Sequence, residues 1–206
     1  MCKIKNLVFL ALAITLLAAV ADVGGKPYAS TLENLQEAYN VEGVAKARYE
    51  AYAAKAAEEG YAGVEVLFRA VAMSEGVHAA NHAEAIKALG GKPAAADKKP
   101  PLVENTKKNL QVAVRTEKNE SGKIYPAYIK QAITENNPQV VMALKGAMAS
   151  ERGHARLFSM ALNKLEDWKN KVVILVCRTC GYTVNDLDIK FCPFCTHPRS
   201  EFMEVK

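Results

Sequence analysis

Residues 71–86 read VAMSEGVHAANHAEAI, and this stretch decides the fold. It belongs to a stripe with helical spacing: Val64, Phe68, Val71, Glu75, His78, His82, Ile86 and Leu89. The steps of three and four match a 3.6-residue period, and Gly90-Gly91 ends the run. The stripe is apolar except for one glutamate and two histidines. A glutamate on a buried helix face is rare unless something pairs it. Residues three apart share a helix face, so Glu75 and His78 aim at one point.

The pattern returns 76 residues later. Ser74-Glu75-x-x-His78 falls on Ser150-Glu151-x-x-His154, and Tyr49-Glu50-Ala51-Tyr52 falls on Tyr125-Pro126-Ala127-Tyr128. Of the thirty pairs from 49/125 to 78/154, nine are identical. Shared alanine bias does not produce matched Tyr, Ser, Glu and His. Two helix hairpins packed with quasi-symmetry account for it. The other stripes agree. One runs Leu32, Leu35, Tyr39, Glu42, Ala45, Tyr49, Tyr52. A third runs Leu110, Val114, Glu117, Glu120, Ile124, Tyr128. The fourth starts after Pro138 and runs Val141, Leu144, Met148, Glu151, His154, Phe158, Leu162, Leu165. Pro126 predicts a kink in the third helix. From Val172 the chain turns to short β-prone pieces around cysteines. The reading is mainly α: a four-helix bundle over residues 28–168, then a small β-rich metal-knuckle domain over 172–206. Residues 90–101 form a Pro/Gly/Lys-rich connector.

Glu42, Glu75, Glu117, Glu120 and Glu151 all lie on apolar stripes. Five carboxylates in one core repel each other and lose hydration. Arg48 and Arg115 lie off the stripes, so metal cations are the available partners. Glu75/His78, Glu117/Glu120 and Glu151/His154 each aim two donors at one point. Oxygen-rich ligation with a few imidazoles suits iron or manganese, and this many carboxylates call for two ions. His82 has no place in that set and reads as an edge-of-core residue. Tyr49 and Tyr125 read equally well as core packing or as hydrogen-bond partners of the ligands.

The cysteines give a second metal site. Cys177-x2-Cys180 and Cys192-x2-Cys195 are two knuckles, each offering two thiolates to one tetrahedral ion. Two disulfides within the C-x-x-C pairs are the competing reading. His197 follows a complete four-thiolate set and reads as a surface residue.

The N-terminus reads as an address. Lys3 and Lys5 precede an apolar run over residues 7–21, broken only by Thr15 and closed by Ala19-Val20-Ala21. This is the layout of a signal peptide cut after Ala21, which implies export to the periplasm or cell envelope. The competing reading is an uncleaved anchor, although the run is short against the ~20 residues of a membrane span. If residues 1–21 are not a signal, a cytoplasmic location follows. Half of the 206 residues are hydrophobic and 24% are charged, which excludes a disordered chain. The net charge of +5 is dispersed, so nucleic acid is excluded as a partner.

Glu42 in NVEGVAKARY, Glu75-x-x-His78, Glu117-x-x-Glu120, Glu151-x-x-His154 and the C-terminal CxxCGY…FCPxC together resemble the rubrerythrin family, over residues 31–206. The resemblance implies a ferritin-like bundle with two non-haem irons, joined to a rubredoxin-like domain with one iron on four cysteines. Zinc is the other candidate there. It implies that Glu75 and Glu151 bridge the irons and that Glu42 is a terminal ligand on one. Glu117 and His154 are terminal on the other, while Glu120 and His78 exchange with redox state. It further implies a peroxidase that reduces hydrogen peroxide to water in oxidative-stress defence. The implied electron donor is a rubredoxin or an NAD(P)H-linked reductase. The competing functions are a ferroxidase or iron-binding protein, and a non-enzymatic bundle with a zinc knuckle. The sequence departs from the family in its N-terminal signal and in Thr196, where rubredoxins carry glycine. That threonine weakens the case for close backbone N–H bonding to sulfur at the second knuckle. The nine-residue linker predicts a knuckle poorly placed over its own bundle site. A homodimer with head-to-tail exchange is therefore the expected working unit.

Overall fold

The computed structural model describes residues 30–95 and 100–206. The expected signal peptide, and residues 28–29 at the expected start of the bundle, lie outside the described residues. The bundle is built from α1 (Thr31–Glu58), α2 (Ala62–Ala88), α3 (Thr106–Asn119), α4 (Tyr125–Thr134) and α5 (Pro138–Asn163). The third expected helix is thus α3 and α4, joined by a π-helical segment, Glu120–Ile124.

That segment resolves the register of the repeat. Ser30 and Asn105 cap α1 and α3, each accepting the backbone N–H three residues on. Thr31/Thr106, Asn34/Asn109, Leu35/Leu110 and Glu42/Glu117 are buried pairs offset by 75 residues. Tyr49/Tyr125 and the E-x-x-H pairs are offset by 76. The extra residue is taken up in the wide turn at 120–124, as a π-bulge does inside an α-helix. It leaves Glu120 buried where α1 carries Ala45. Pro126 follows in the first turn of α4, where a missing N–H is tolerated. The expected proline kink is absorbed there.

Two apolar clusters lie at opposite ends of the bundle interior. One gathers Tyr49, Tyr52, Phe68 and Phe158 with residues of the linker and β1. The other gathers Leu35, Ile86, Tyr125, Tyr128 and Leu144. The buried glutamates and histidines fall between them, so the polar layer is walled off from water at both ends.

After α5, a 3-10 turn (Leu165–Lys169) leads into a three-stranded antiparallel sheet of order β2-β1-β3. The strands are β1 (Ile174–Cys177), β2 (Thr183–Val184) and β3 (Phe202–Val205). Cys177 pairs with Phe202, and Leu175 with Val184. All four residues of β1 are buried, because alternate side chains serve two cores. Ile174 and Val176 pack into the bundle cluster, while Leu175 and Cys177 face the knuckle interior. The linker runs tight against α2, where a Cβ at Gly63 would meet the carbonyl of Trp168 at 2.9 Å. Phe194 of the knuckle lies against Gly146 of α5.

Candidate metal centres

The bundle buries all seven expected donors, Glu42, Glu75, His78, Glu117, Glu120, Glu151 and His154, and brings all but Glu120 into one layer. Two four-residue donor groups form within it, each with ligand atoms inside 4.8 Å of one another. The first is Glu42, Glu75, His78 and Glu151. The second is Glu75, Glu117, Glu151 and His154. Glu75 and Glu151 belong to both, which is the arrangement that two bridging carboxylates need. His78 Nδ1 lies 2.9 Å from Glu75 and 3.0 Å from Glu151. His154 Nδ1 lies 2.7 Å from Glu151, 3.3 Å from Glu117 and 3.4 Å from Glu75. Glu120 is buried beside this layer but enters neither group.

The protein alone does not satisfy this layer. Glu75 Oε1 and Glu151 Oε1 are buried without a hydrogen-bond partner among the described residues. Burial, followed by the Glu75 charge, pushes the Glu42 carboxyl up to about 8. Burial and Glu117 raise Glu120, and burial and Glu75 raise Glu151. Burial alone would raise Glu75 too, but His154 and His78 overcome it and hold that carboxyl at about 2. Burial would lower both imidazoles; the surrounding carboxylates raise them instead. Two multivalent cations would relieve these strains together, by neutralising the carboxylates and occupying the orphaned oxygens. The donor set therefore fits a two-metal carboxylate centre.

Two tyrosines brace the outer carboxylates. Tyr49 donates its hydroxyl to Glu117, and Tyr125 donates to Glu42. Each bond crosses from one half of the repeat to the other. The sequence left these tyrosines open between packing and bonding, and the structure shows both. His82, expected at the edge of the core, is fully buried, with Nε2 at 3.0 Å from the Tyr125 oxygen. Its burial, then the charge on His78, lowers it to about 3, so it is neutral. The edge assignment fails because position on a stripe does not show what lies opposite: the Tyr125 ring at the start of α4 packs against His82.

The four cysteines converge as free thiols. Cys177 and Cys195 sulfurs lie 3.6 Å apart, and Cys180 and Cys192 lie 3.5 Å apart, all within one donor group. Hydrogen bonds from Cys180 and Cys192 favour the Cys177 thiolate; sharing with Cys177 pushes Cys192 up to about 11. The two knuckle turns close alike, with Gly181 N–H on the Cys177 carbonyl and Thr196 N–H on the Cys192 carbonyl, each at 2.9 Å. Thr196 therefore does not prevent the turn. It adopts the left-handed conformation (φ 60°) at a cost of about 1–2 kcal/mol against glycine. His197 is exposed, as expected.

The expected misplacement of the knuckle is corrected by the structure. The knuckle lies over the site of its own chain. The Gly181 carbonyl accepts hydroxyls from Ser74 at 2.6 Å, Ser150 at 2.9 Å and Thr183 at 2.9 Å. Asn81 donates to the Thr179 carbonyl at 2.9 Å. A nine-residue segment reaches ~30 Å when extended, enough to cover the ~25 Å back from Trp168 to Glu151. The linker and β1 spend that reach by running back along α2. The ground for expecting a partner's knuckle therefore falls away.

This contact also fixes the imidazoles. The hydroxyls that donate to Gly181 present lone pairs to the histidines. Thr183 Oγ1 is 3.1 Å from His154 Nε2, Ser150 Oγ is 3.3 Å from it, and Ser74 Oγ is 3.5 Å from His78 Nε2. Each Nε2 then carries its hydrogen toward a hydroxyl, which leaves Nδ1 as the nitrogen that faces the carboxylate layer and that a bound metal would take. Sequence reading noted the repeated serine before each E-x-x-H and missed this use of it.

A buried two-metal carboxylate layer in a helical bundle, with a four-cysteine knuckle docked on its histidines, defines a ferritin-like di-iron protein carrying a rubredoxin-like domain. The comparisons agree. The rubrerythrin family model matches residues 33–162, and the chain belongs to the rubrerythrin family, whose di-iron proteins act in oxidative-stress defence. It is 33% identical over 176 residues to nigerythrin of Nitratidesulfovibrio vulgaris, covering 84% of this chain and 85% of that protein. It is 32% identical over 189 residues to a putative rubrerythrin of Methanocaldococcus jannaschii, covering 85% and 92%. A structure of fully reduced, all-ferrous nigerythrin superposes with a TM-score of 0.80 at 28% identity, covering 99% of this chain and all of that one.

Proposed function

We propose that this protein is a di-iron peroxidase that reduces hydrogen peroxide to two waters, with Glu42, Glu75, Glu117, Glu120, Glu151, His78 and His154 as the ligand positions. When bound, the paired irons supply two electrons together, and an iron on Cys177, Cys180, Cys192 and Cys195 supplies them one at a time. The residues of the chain do the rest. Glu75 and Glu151, shared by both donor groups, would hold both metals. The apolar clusters exclude bulk water. Tyr49 and Tyr125 keep Glu117 and Glu42 oriented as charge changes between them. Glu120 and His78 are the pair that would exchange with redox state.

The observation that carries this reading is the docking of the knuckle on the outer nitrogens of His78 and His154. An iron-storage bundle has no use for a thiolate site at that place. The external donor of this reading is a rubredoxin or an NAD(P)H-linked reductase. Export, with the mature chain starting at Asp22, belongs to the same proposal; N-terminal sequencing of native protein tests it, and an intact Met1 rejects cleavage.

The activity test is anaerobic. Iron-loaded, fully reduced protein receives hydrogen peroxide, and ferrous absorbance and peroxide are followed together. One peroxide consumed per two bundle ferrous ions, faster than oxidation by dissolved oxygen, supports the proposal. Faster oxidation by oxygen supports a ferroxidase instead.

A further inference from the structure

The internal repeat equates His82 with Phe158, 76 residues on. The two positions do the same packing job. Phe158 lies against Tyr49 with ring centroids 5.3 Å apart, and His82 lies against Tyr125 at 6.0 Å. Each of these tyrosines bonds a carboxylate of the metal layer. At this position the halves differ in one respect: behind Tyr49 stands a phenyl ring, and behind Tyr125 stands an imidazole.

Proton accounting gives that imidazole a task. Tyr125 has one hydroxyl hydrogen and gives it to Glu42. Its oxygen can then only accept from His82 Nε2, at 3.0 Å. His82 Nδ1 has no hydrogen-bond partner among the described residues, so the ring is committed to this single bond. A hydroxyl that accepts one hydrogen bond donates a stronger one, and neutral-group chains of this kind are cooperative. Tyr49 is surrounded by Tyr52, Phe68 and Phe158 and receives no such bond from them.

We propose that His82 is a positioning residue that acts through Tyr125 to orient Glu42, and so makes the metal position of Glu42 inequivalent to that of Glu117. The proposal rests on the two-metal reading of the layer, and its test is chosen to separate the two.

The test uses cobalt(II) as a spectroscopic probe, titrated into metal-free full-length protein whose cysteine site has been filled with zinc. Glu42→Ala marks which cobalt equivalent depends on Glu42. His82→Phe copies the Phe158 half and removes only the N–H donor. It should weaken that same equivalent roughly 10-fold or more, the usual size for loss of a ligand's hydrogen-bond partner. The other equivalent should keep its affinity. His82→Leu, with less bulk, should give the same selectivity, and His82→Gln, which keeps an N–H, should restore most of the loss. In a Tyr125→Phe background, His82→Phe should add nothing. Wild-type affinity for both equivalents in His82→Phe and His82→Leu overturns the proposal, as does equal weakening of both. Failure of the wild-type protein to bind two cobalt ions overturns the two-metal reading itself, and this inference with it.

Discussion

Ser74 donates its hydroxyl to the carbonyl of Gly181 across 2.6 Å, and that bond joins the second helix to the first cysteine turn. Ser150 reaches the same oxygen from the fifth helix. The knuckle is thereby registered on both E-x-x-H histidines at once. A contact made by one carbonyl and three hydroxyls depends on how closely the backbone can approach.

Gly181 is what permits that approach. Its φ is +78°, and a Cβ there would overlap His78 Nε2. Gly181→Ala should lift the knuckle and cost about 1–3 kcal/mol locally, since both backbone strain and overlap oppose the native geometry. Hydrogen exchange should quicken at β1, and peroxide turnover sustained by an external donor should fall. Unchanged exchange with unchanged turnover would remove the docking from the mechanism.

Glu75→Ala and Glu151→Ala each delete a residue shared by both donor groups. Either variant should lose both bundle metals rather than one, while the cysteine site stays loaded. Metal analysis decides it: two bundle irons retained in either variant rejects the bridging assignment. Glu42→Ala, by contrast, touches one group only and should cost one metal position.

The metal-free protein should lose stability as pH rises from about 6.5 to 8. Glu42 is raised from 4.5 to about 8, so the folded state holds a proton that the unfolded chain has released, and stability falls across that interval. His78 and His154 are raised above 6.5, so their contribution is present below that value and is lost as pH climbs through their folded values. His82 is lowered to about 3 and costs stability only as pH falls below 6.5. Glu75, lowered to about 2, is ionised throughout. Denaturant unfolding at the two pH values should show the fall in metal-free protein and its disappearance on metal loading. A metal-free protein equally stable at both would contradict the carboxyl shifts.

Converting Cys177 and Cys192 to serine removes one thiolate from each knuckle. A single turnover of pre-reduced bundle iron with peroxide should persist, since that layer is intact. Steady-state turnover from an external donor should drop at least tenfold. If it does not, electrons enter the bundle by another path and the knuckle serves only as structure.

Most of this architecture was readable because chemistry left marks at fixed spacing. Glutamates on apolar stripes cannot be explained by burial alone, so Glu42, Glu75, Glu117 and Glu151 announced a charged layer before any helix was packed. The cysteine spacing was equally plain. What escaped was everything that depends on how elements approach one another. Ser74 and Ser150 look like ordinary helix residues until a carbonyl from a distant turn is set between them. His82 looked peripheral until the Tyr125 ring was set against it. The π segment was hidden because one added residue disturbs a helical stripe by only about 100°, within the tolerance of a pattern read by eye. The placement of the knuckle was misjudged although the reach of the linker was sufficient on arithmetic alone.

The one-residue misfit between the halves has its own consequence. With a single constant offset of 75, Ala45 and residue 120 would occupy matching places in the two helix pairs, on one common backbone. The wide turn at Glu120–Ile124 ends that equivalence at the level of the main chain. It adds a fifth carboxylate to one side of a four-carboxylate layer without a counterpart on the other. Removing exposed Gly122 would return the third helix to α-helical pitch and give the two halves one common frame. The main chain would then no longer tell the two halves apart, and only side chains, Glu120 against Ala45 and His82 against Phe158, would be left to load, reduce or oxidise one ion ahead of its neighbour.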